Sequence, residues 1–408
     1  MKTIVFAWRY LWSRPLAAAL NLLLLSLGLA SITFLLLVSH QLSRAFERDL
    51  AGIDVVVGAK GSPMQLILSG VLHLDVPTGN VPLAAIKALQ THPQVARIIP
   101  VSLGDSFRGY RIVGTTGDYL KHYGVQLQQG VMWTQPMQTV IGAQVARQSG
   151  LKVGDRFAGT HGLGGSGSGG GGGDVHEKTP YTVVGILASS GTVLDRLLLT
   201  ATESVWKVHE TDTALDAEDQ KILEEEREVT LALIQYTTPL AAVTFPRFVN
   251  TTTEMQAAAP ALEITRLLNM VGIGVDVLRA FAGVLLLTAG LSVFIALWSA
   301  VRERRADLAL LRMLGAPPGK IAALLLVEAL WLALLATMLG MLAGQALMAL
   351  LGWVLQLEQS VLVGGVAWPI ELLAVPALAL VVALVSALLP AWEAFRVSGF
   401  ELLQSASN

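Results

Sequence analysis

Histidines and carboxylates, the side chains most able to bind a metal or move a proton, gather in one part of this 408-residue chain. His73, His92, His122, His161, His176 and His209 all lie between two apolar regions. His161 and His176 flank a glycine tract, HGLGGSGSGGGGGD, with Asp174 and Glu177 close by. Such a tract cannot offset its ordering entropy and reads as a flexible surface loop. Imidazoles and carboxylates on such a loop are zinc-type ligands, which makes His161 and His176 candidate metal residues. Their spacing matches no established ligand pattern, and scattered histidines are ordinary on an external domain, so the expectation is no metal. Ser, His and Asp occur without a nucleophile motif, so no active site is expected. Cysteine is absent, which excludes disulfides, thiolate metal sites and cysteine catalysis.

Nucleotide chemistry is also missing from the motifs. No G-x-G-x-x-G lies between a strand and a helix. GAPPGKI (315–321) is one residue short of the Walker A spacing and lacks its Ser/Thr. The chain is therefore expected to bind no cofactor of its own. The formal net charge of −2 and the absence of a basic block with interleaved aromatics argue against nucleic acid.

What must position any functional group is a membrane. Apolar residues make up 53% of the chain and charged residues 14%, beyond ordinary soluble usage. Met1 to Arg14 mixes Lys2, Arg9 and Arg14 with Phe6, Trp8, Tyr10 and Trp12, the pattern of an interfacial helix. Leu16 to Val38 follows without a charge, a reach of about 35 Å as a helix and enough to span. The run is longer than a signal-peptide core and no small-residue cleavage site follows it, so a retained first span is expected. Further apolar stretches cover Ala280–Val301, Ile321–Leu357 and Leu372–Trp392. Between them, Val301 to Ile321 (VRERRADLALLRMLGAPPGKI) concentrates Arg302, Arg304, Arg305, Arg312 and Lys320 against Glu303 and Asp307. Excess basic residues in a short loop mark the cytoplasmic side. Leu308, Leu310, Leu311 and Leu314 give this segment an apolar helical face, Gly315 suits a left-handed C′ position, and Pro317-Pro318 end the helix.

Within the third apolar stretch, Gly340 and Gly344 form a small-x-x-x-small pair that permits close helix approach. Glu328 lies about 10 Å into the same helix, shallow enough to snorkel or pair with an arginine.

Between the first two spans the composition becomes that of a soluble domain. Leu42–Leu50 continues helically as a stalk. Strands are expected at Asp54–Val57, Val95–Pro100, Arg111–Val113, Thr139–Ile141 and Tyr181–Leu187, and helices at Pro82–Gln90 and at Ala143–Ser149, closed by Gly150. The acidic run Glu218–Glu228 reads as a solvated helix face. After Pro260 the chain turns helical and returns to the membrane. The expected fold is an α+β integral membrane protein, with four transmembrane helices and a large α+β periplasmic domain inserted between helices 1 and 2. Its parts are residues 1–39 (interfacial helix and first span), 40–272 (periplasmic core) and 273–408 (three spans, with a cytoplasmic coupling helix at about 302–315).

These residues resemble a family. RRADLALLRMLGAPPGKI is similar to the coupling segment of MacB/FtsX/LolC-type (type VII) ABC transporter permeases, with Asp307 where a Glu is more usual. VEALWLALLATMLGMLAG resembles the family's third helix through Glu328, Gly340 and Gly344. PAWEAFRVSGFELL resembles its ending, with Ser398-Gly399 in place of Asp-Pro. VIGAQVARQSGLKVGDRF and YTVVGIL resemble its periplasmic core domain.

The resemblance implies a multi-pass protein of the bacterial inner membrane with both termini cytoplasmic. It implies a non-catalytic permease subunit working as a dimer, with a second copy or a related permease. Its partner would be a cytoplasmic ABC ATPase that uses ATP and Mg. Asp307, Leu310, Leu311, Arg312, Leu314 and Gly315 would face that ATPase, and Glu328, Gly340 and Gly344 would pack the membrane helices. ATP-driven motion would pass to the periplasmic domain (mechanotransmission), to export or extract a lipid, lipoprotein or peptide-like substrate. Membrane lipid and a periplasmic or lipoprotein partner complete the expected contacts. Two alternatives stay open at this stage: an FtsX-like regulator of a periplasmic enzyme, and a membrane-anchored metal-binding sensor.

Overall fold

The computed structural model describes residues 2–13, 15–162, 179–210, 226–303, 313–357 and 366–396. Among the described residues, four helices are long and apolar enough to cross a membrane: Pro15–Leu50, Pro260–Glu303, Pro318–Leu357 and the Ala374–Arg396 helix with its short 3-10 lead-in Ile370–Leu373. Three begin with proline at the first helical position, where its missing N–H goes unneeded. Hydroxyls inside the spans are satisfied locally. Ser31, Thr33, Thr288 and Thr337 each donate to the carbonyl four residues earlier, so no hydroxyl donor among these four faces the apolar surroundings unpaired.

The chain divides into two compact units. One joins Met1–Leu42 with Met270–Val354 and Gly364–Asn408; the other is built mainly of Ser43–Asn269. The first span's helix contributes its final turns, through Leu50, to the second unit.

The second unit is a mixed α+β domain between the first and second spans. Its strands in chain order are β1 (Val55–Ala59), β2 (Val81–Pro82), β3 (Val95–Phe107), β4 (Tyr110–Thr115) and β5 (Leu127–Gly130). β6 (Gln138–Ile141), β7 (Arg156–Phe157), β8 (Thr160–His161), β9 (Tyr181–Leu187) and β10 (Leu198–Ala201) follow. β11 (Glu228–Val229), β12 (Leu231–Tyr236) and β13 (Met255–Ala258) complete the set. Among the described residues they form an 11-stranded sheet ordered β13-β1-β12-β3-β4-β10-β6-β9-β5, with β7 on β9 and β8 on β3, and a separate β11-β2 pair. β10 runs parallel to β4, and β6 parallel to β9; the other pairs are antiparallel.

Two apolar clusters hold this sheet. At one end Phe245 and Val249 of the Ala241–Thr252 helix, with Ile86 and Leu89 of Leu83–Gln90, bury against Val55, Val57 and Ile234. Toward the other, Val145 of Ala143–Ser149 packs with Tyr181, Ile112, Ile141 and Phe157. Gly150 closes that helix at φ 76°, a left-handed cap that glycine adopts without steric cost.

Two expectations are corrected here. β3 does not stop at Pro100; it continues to Phe107, because Pro100 lies opposite Ala232 and its carbonyl accepts the Thr115 hydroxyl at 2.9 Å. The strand therefore tolerates a residue that reads locally as a breaker. Glu228 lies on no helix face: it is an exposed position of β11, paired with Pro82 of β2. Residues 218–225 of the acidic run lie outside the described residues.

Candidate functional site

The basic segment between the second and third spans is described only at its end. Asp307, Leu310, Leu311 and Arg312 lie outside the described residues. Met313 and Leu314 follow with 65% and 77% of their surface exposed, large apolar side chains with little covering them. Gly315 then takes φ 90°, a left-handed turn, and Pro317 accepts from the Lys320 N–H as the third span begins. An apolar pair held beside a rigid turn is a surface that a partner can bury.

The membrane helices are joined where side chains are missing. A Cβ on Gly340 would stand 2.7 Å from Leu29 Cβ, and one on Gly344 would stand 2.6 Å from Thr33 Cβ, so the third span meets the first at backbone distance. The second span is tied by hydrogen bonds: Ser292 donates to Asn21 at 2.6 Å, and Ser386 of the fourth span donates to the Gly290 carbonyl at 2.8 Å. Glu328 does not snorkel to water. It is 7% exposed and lines a small cavity with Tyr10, Ala18 and Asn21 and, from the second span, Leu297 and Ala300. A carboxylate turned into a bundle interior is costly in a membrane and faces other helices. The helix Lys2–Leu11 lies close by. It exposes Ile4, Val5 and Phe6, buries Ala7 and Leu11, and sets Trp8 edge-on to Trp331 with ring centroids 4.9 Å apart.

Within the second unit, a buried polar cluster holds the last turn of the Pro15–Leu50 helix. Asp49, 5% exposed, accepts the Val193 N–H at 3.0 Å through its carboxylate, and its carbonyl accepts the Tyr123 hydroxyl at 2.9 Å. The loop it grips is itself rigid. The Asp195 carboxylate accepts from the hydroxyls of Ser189 and Ser190 and from the N–H groups of Ser190 and Gly191. Gly191, at φ 68°, leaves room for the Arg48 guanidinium, which would stand 3.1 Å from a Cβ there. Arg196, 5% exposed, donates to the Leu72 carbonyl, and the adjacent His73 takes φ 54° with Nε2 3.0 Å from the Tyr119 hydroxyl. Burial pushes the His73 pKa well down, and the Arg111 and Arg196 charges push it further, so the ring is neutral. Burial also brings Arg111 down to about 10. None of these residues was singled out as a site by sequence reasoning, and His73 counted only among scattered histidines. The partners lie far apart in the chain, 144 positions for Asp49 and Val193, and no local spacing connects them.

The candidate metal residues are not brought together into a described cluster. His161 Nδ1 lies 3.3 Å from the buried Asp105 carboxylate at the β3–β8 pairing, and His176 lies outside the described residues.

Four helices able to span among the described residues, with an α+β domain inserted in sequence after the first, define a multi-pass membrane protein with an extracytoplasmic domain. Family models match both parts: an FtsX-like permease C-terminal region over residues 279–398, and a MacB-like periplasmic core domain over 18–243, more than half of the chain. The chain belongs to the MacB/FtsX-type family of ABC transporter permeases (type VII). It is similar to the pyoverdine export ATP-binding/permease protein PvdT of Pseudomonas aeruginosa, 25% identical over 392 residues, covering 88% of this chain and 52% of that protein. PvdT of Pseudomonas fluorescens is 26% identical over 434 residues, covering 98% and 58%. The chain thus spans about half the length of the curated relatives it matches. The periplasmic region of MacB from Actinobacillus actinomycetemcomitans aligns with 55% of this chain and 96% of its own at 11% identity and a TM-score of 0.35, too loose a likeness to build on.

Two outcomes follow from this geometry. Gly344→Leu forces the first and third spans apart and should lower thermal stability by about 1–3 kcal/mol, the usual cost of overpacking. Gly283→Ala, where a Cβ meets nothing within 4 Å, should not, and melting of the detergent-purified full chain compares them. The second concerns pH. The folded His73 pKa lies below the ordinary 6.5, so the unfolded chain takes up the extra proton. Stability contributed by this group is complete above pH about 6.5 and falls below it, by at most about 1.4 kcal/mol per pH unit. His73→Asn keeps a side chain that tolerates positive φ and should flatten that acid slope in thermal melts of the full chain.

Proposed function

We propose that this chain is the permease subunit of an ATP-driven complex, coupling ATP hydrolysis by a separate cytoplasmic ATPase to conformational change in its extracytoplasmic domain. The observation that carries the reading is the first span. Pro15–Leu50 is one helix, packed at backbone distance on Gly340 and Gly344 of the third span and fastened through Asp49 to the loop around Val193. A helix transmits displacement along its axis with little loss, and interlocked packing favours discrete rearrangement over gradual deformation. The third span starts at Pro318, directly after the exposed Met313–Leu314 pair. A push delivered there would reach the first span through the two glycines and the domain through Asp49.

In this reading Asp307, Leu310, Leu311, Arg312 and Leu314 meet the ATPase, which alone holds ATP and Mg. Both termini are cytoplasmic, the chain itself catalyses nothing, and two permeases, identical or related, form the working dimer. The ATP-binding/permease description of the PvdT relatives supports an ATP-binding partner, and their export role supports extraction or export of a lipid, lipoprotein or peptide-like substrate.

Leu314→Asp places a charge on the exposed apolar pair without disturbing a buried contact. It should weaken capture of the ATPase by roughly tenfold or more in co-purification, while membrane insertion of the chain is unchanged. Unaltered capture together with unaltered ATP turnover would show that this segment is not the coupling surface. If deletion changes only a periplasmic hydrolase activity, and no exported lipid, lipoprotein or peptide, the chain acts as an FtsX-like regulator instead.

A further inference from the structure

The three spans other than the Gly340–Gly344 helix enclose a groove of about 730 Å³. It runs along Ile32–Leu36 of the first span, Arg279–Phe294 of the second and Leu378–Leu389 of the fourth. A flat lipid-facing surface would need no explanation, but this one is hollow. Gly283 helps make it so: a Cβ there would meet nothing within 4 Å, while Leu287, Val381 and Val385 on the groove wall are 76%, 56% and 67% exposed. Its volume falls within the range of small-molecule sites, about 300–1,000 Å³.

The groove has a polar mouth at one end. Arg279 borders it directly where the charge-free run Ala280–Val301 begins, and Asp276 accepts from its guanidinium at 2.9 Å on an exposed face. His40 and Glu371 form a second pair, 3.6 Å apart, just beyond the groove-lining turns of the first and fourth spans. His40 and Arg279 lie near the ends of the first and second spans that adjoin the inserted domain in sequence, so the groove's polar mouth belongs to that side of the bilayer. Arg279 at the rim with the Asp276 carboxylate paired to it suits a headgroup that carries both a phosphate and an ammonium. Exposed ion pairs such as Arg279–Asp276 hold weakly and can exchange partners.

We propose that this groove binds one zwitterionic phospholipid of the outer leaflet, an acyl chain lying against Gly283 and Leu287, its phosphate on Arg279 and its ammonium on Asp276. Lipid tails gain no hydrophobic free energy on leaving the bilayer for a protein groove, so selection must come from shape and from the headgroup. The hollow at Gly283 supplies the first and the mixed-charge mouth supplies the second. This site is independent of the coupling reading above and needs no ATPase to be observed.

Native mass spectrometry of the full chain in detergent, loaded with phosphatidylethanolamine or phosphatidylglycerol, tests the site. The wild type should retain one phosphatidylethanolamine. Gly283→Trp, which fills the hollow, should abolish retention, and Arg279→Gln should lower it about tenfold, one lost charged hydrogen bond's worth of affinity. Unchanged retention in Gly283→Trp overturns the site, and equal retention of phosphatidylglycerol overturns the headgroup assignment. If Gly283→Trp shifts the oligomeric state and leaves lipid retention alone, a second copy of the chain covers the groove and the proposal fails.

Discussion

The Pro15–Leu50 helix makes contacts of opposite character in the two units to which it contributes, and each unit depends on its own. In the membrane, helices gain nothing from hiding apolar surface from lipid, so close approach must come from missing side chains and a few hydrogen bonds. Gly340 and Gly344 supply the first against Leu29 and Thr33, and the Asn21–Ser292 pair supplies the second. Outside the membrane the same helix ends in a polar joint, where Asp49 takes the Val193 N–H and the Tyr123 hydroxyl closes on the Asp49 carbonyl. Dispersion and shape grip one end, and buried hydrogen bonds, strong where water is excluded, grip the other.

The polar joint is costly to build and correspondingly specific. Arg196 and His73 are buried together with Tyr119 and Arg111 near them, and burial works against the charge on each arginine. A neutral His73 lowers the like-charge repulsion that a protonated ring would add. The Asp195 carboxylate, saturated by four donors from Ser189, Ser190 and Gly191, keeps the receiving loop from relaxing away from Asp49. Removing one partner of such a network leaves another polar group buried without compensation, which is why its members act as one unit.

The sheet shows the same dependence on context at lower cost. β3 is its longest strand and pairs with β12, β4 and β8. Pro100 interrupts its N–H row, yet flanking pairing on β12 and the Thr115 hydroxyl on its carbonyl hold the extended conformation. Glu228 is likewise placed in a strand by its neighbour Val229, which pairs with Val81 and buries in the adjoining apolar cluster.

Much of this protein was legible in the chain itself because the deciding physics is local. Apolar runs long enough to cross a bilayer, broken only by Glu328 in the third, define the four spans, alternation and β-branched residues mark Tyr181–Leu187, and Gly150 ends its helix because another residue would be strained at its positive φ. The expected coupling residues Asp307 to Arg312 rest on that local pattern alone. What only the tertiary structure decided are the meetings of residues far apart in sequence. Examples are Asp49 with Val193, His73 with Tyr119, Gly344 with Thr33, and the turning of Glu328 into the bundle instead of toward water. Spacing in a chain encodes period and caps. Which distant groups share a buried site depends on how the packed elements close, and no single segment carries that.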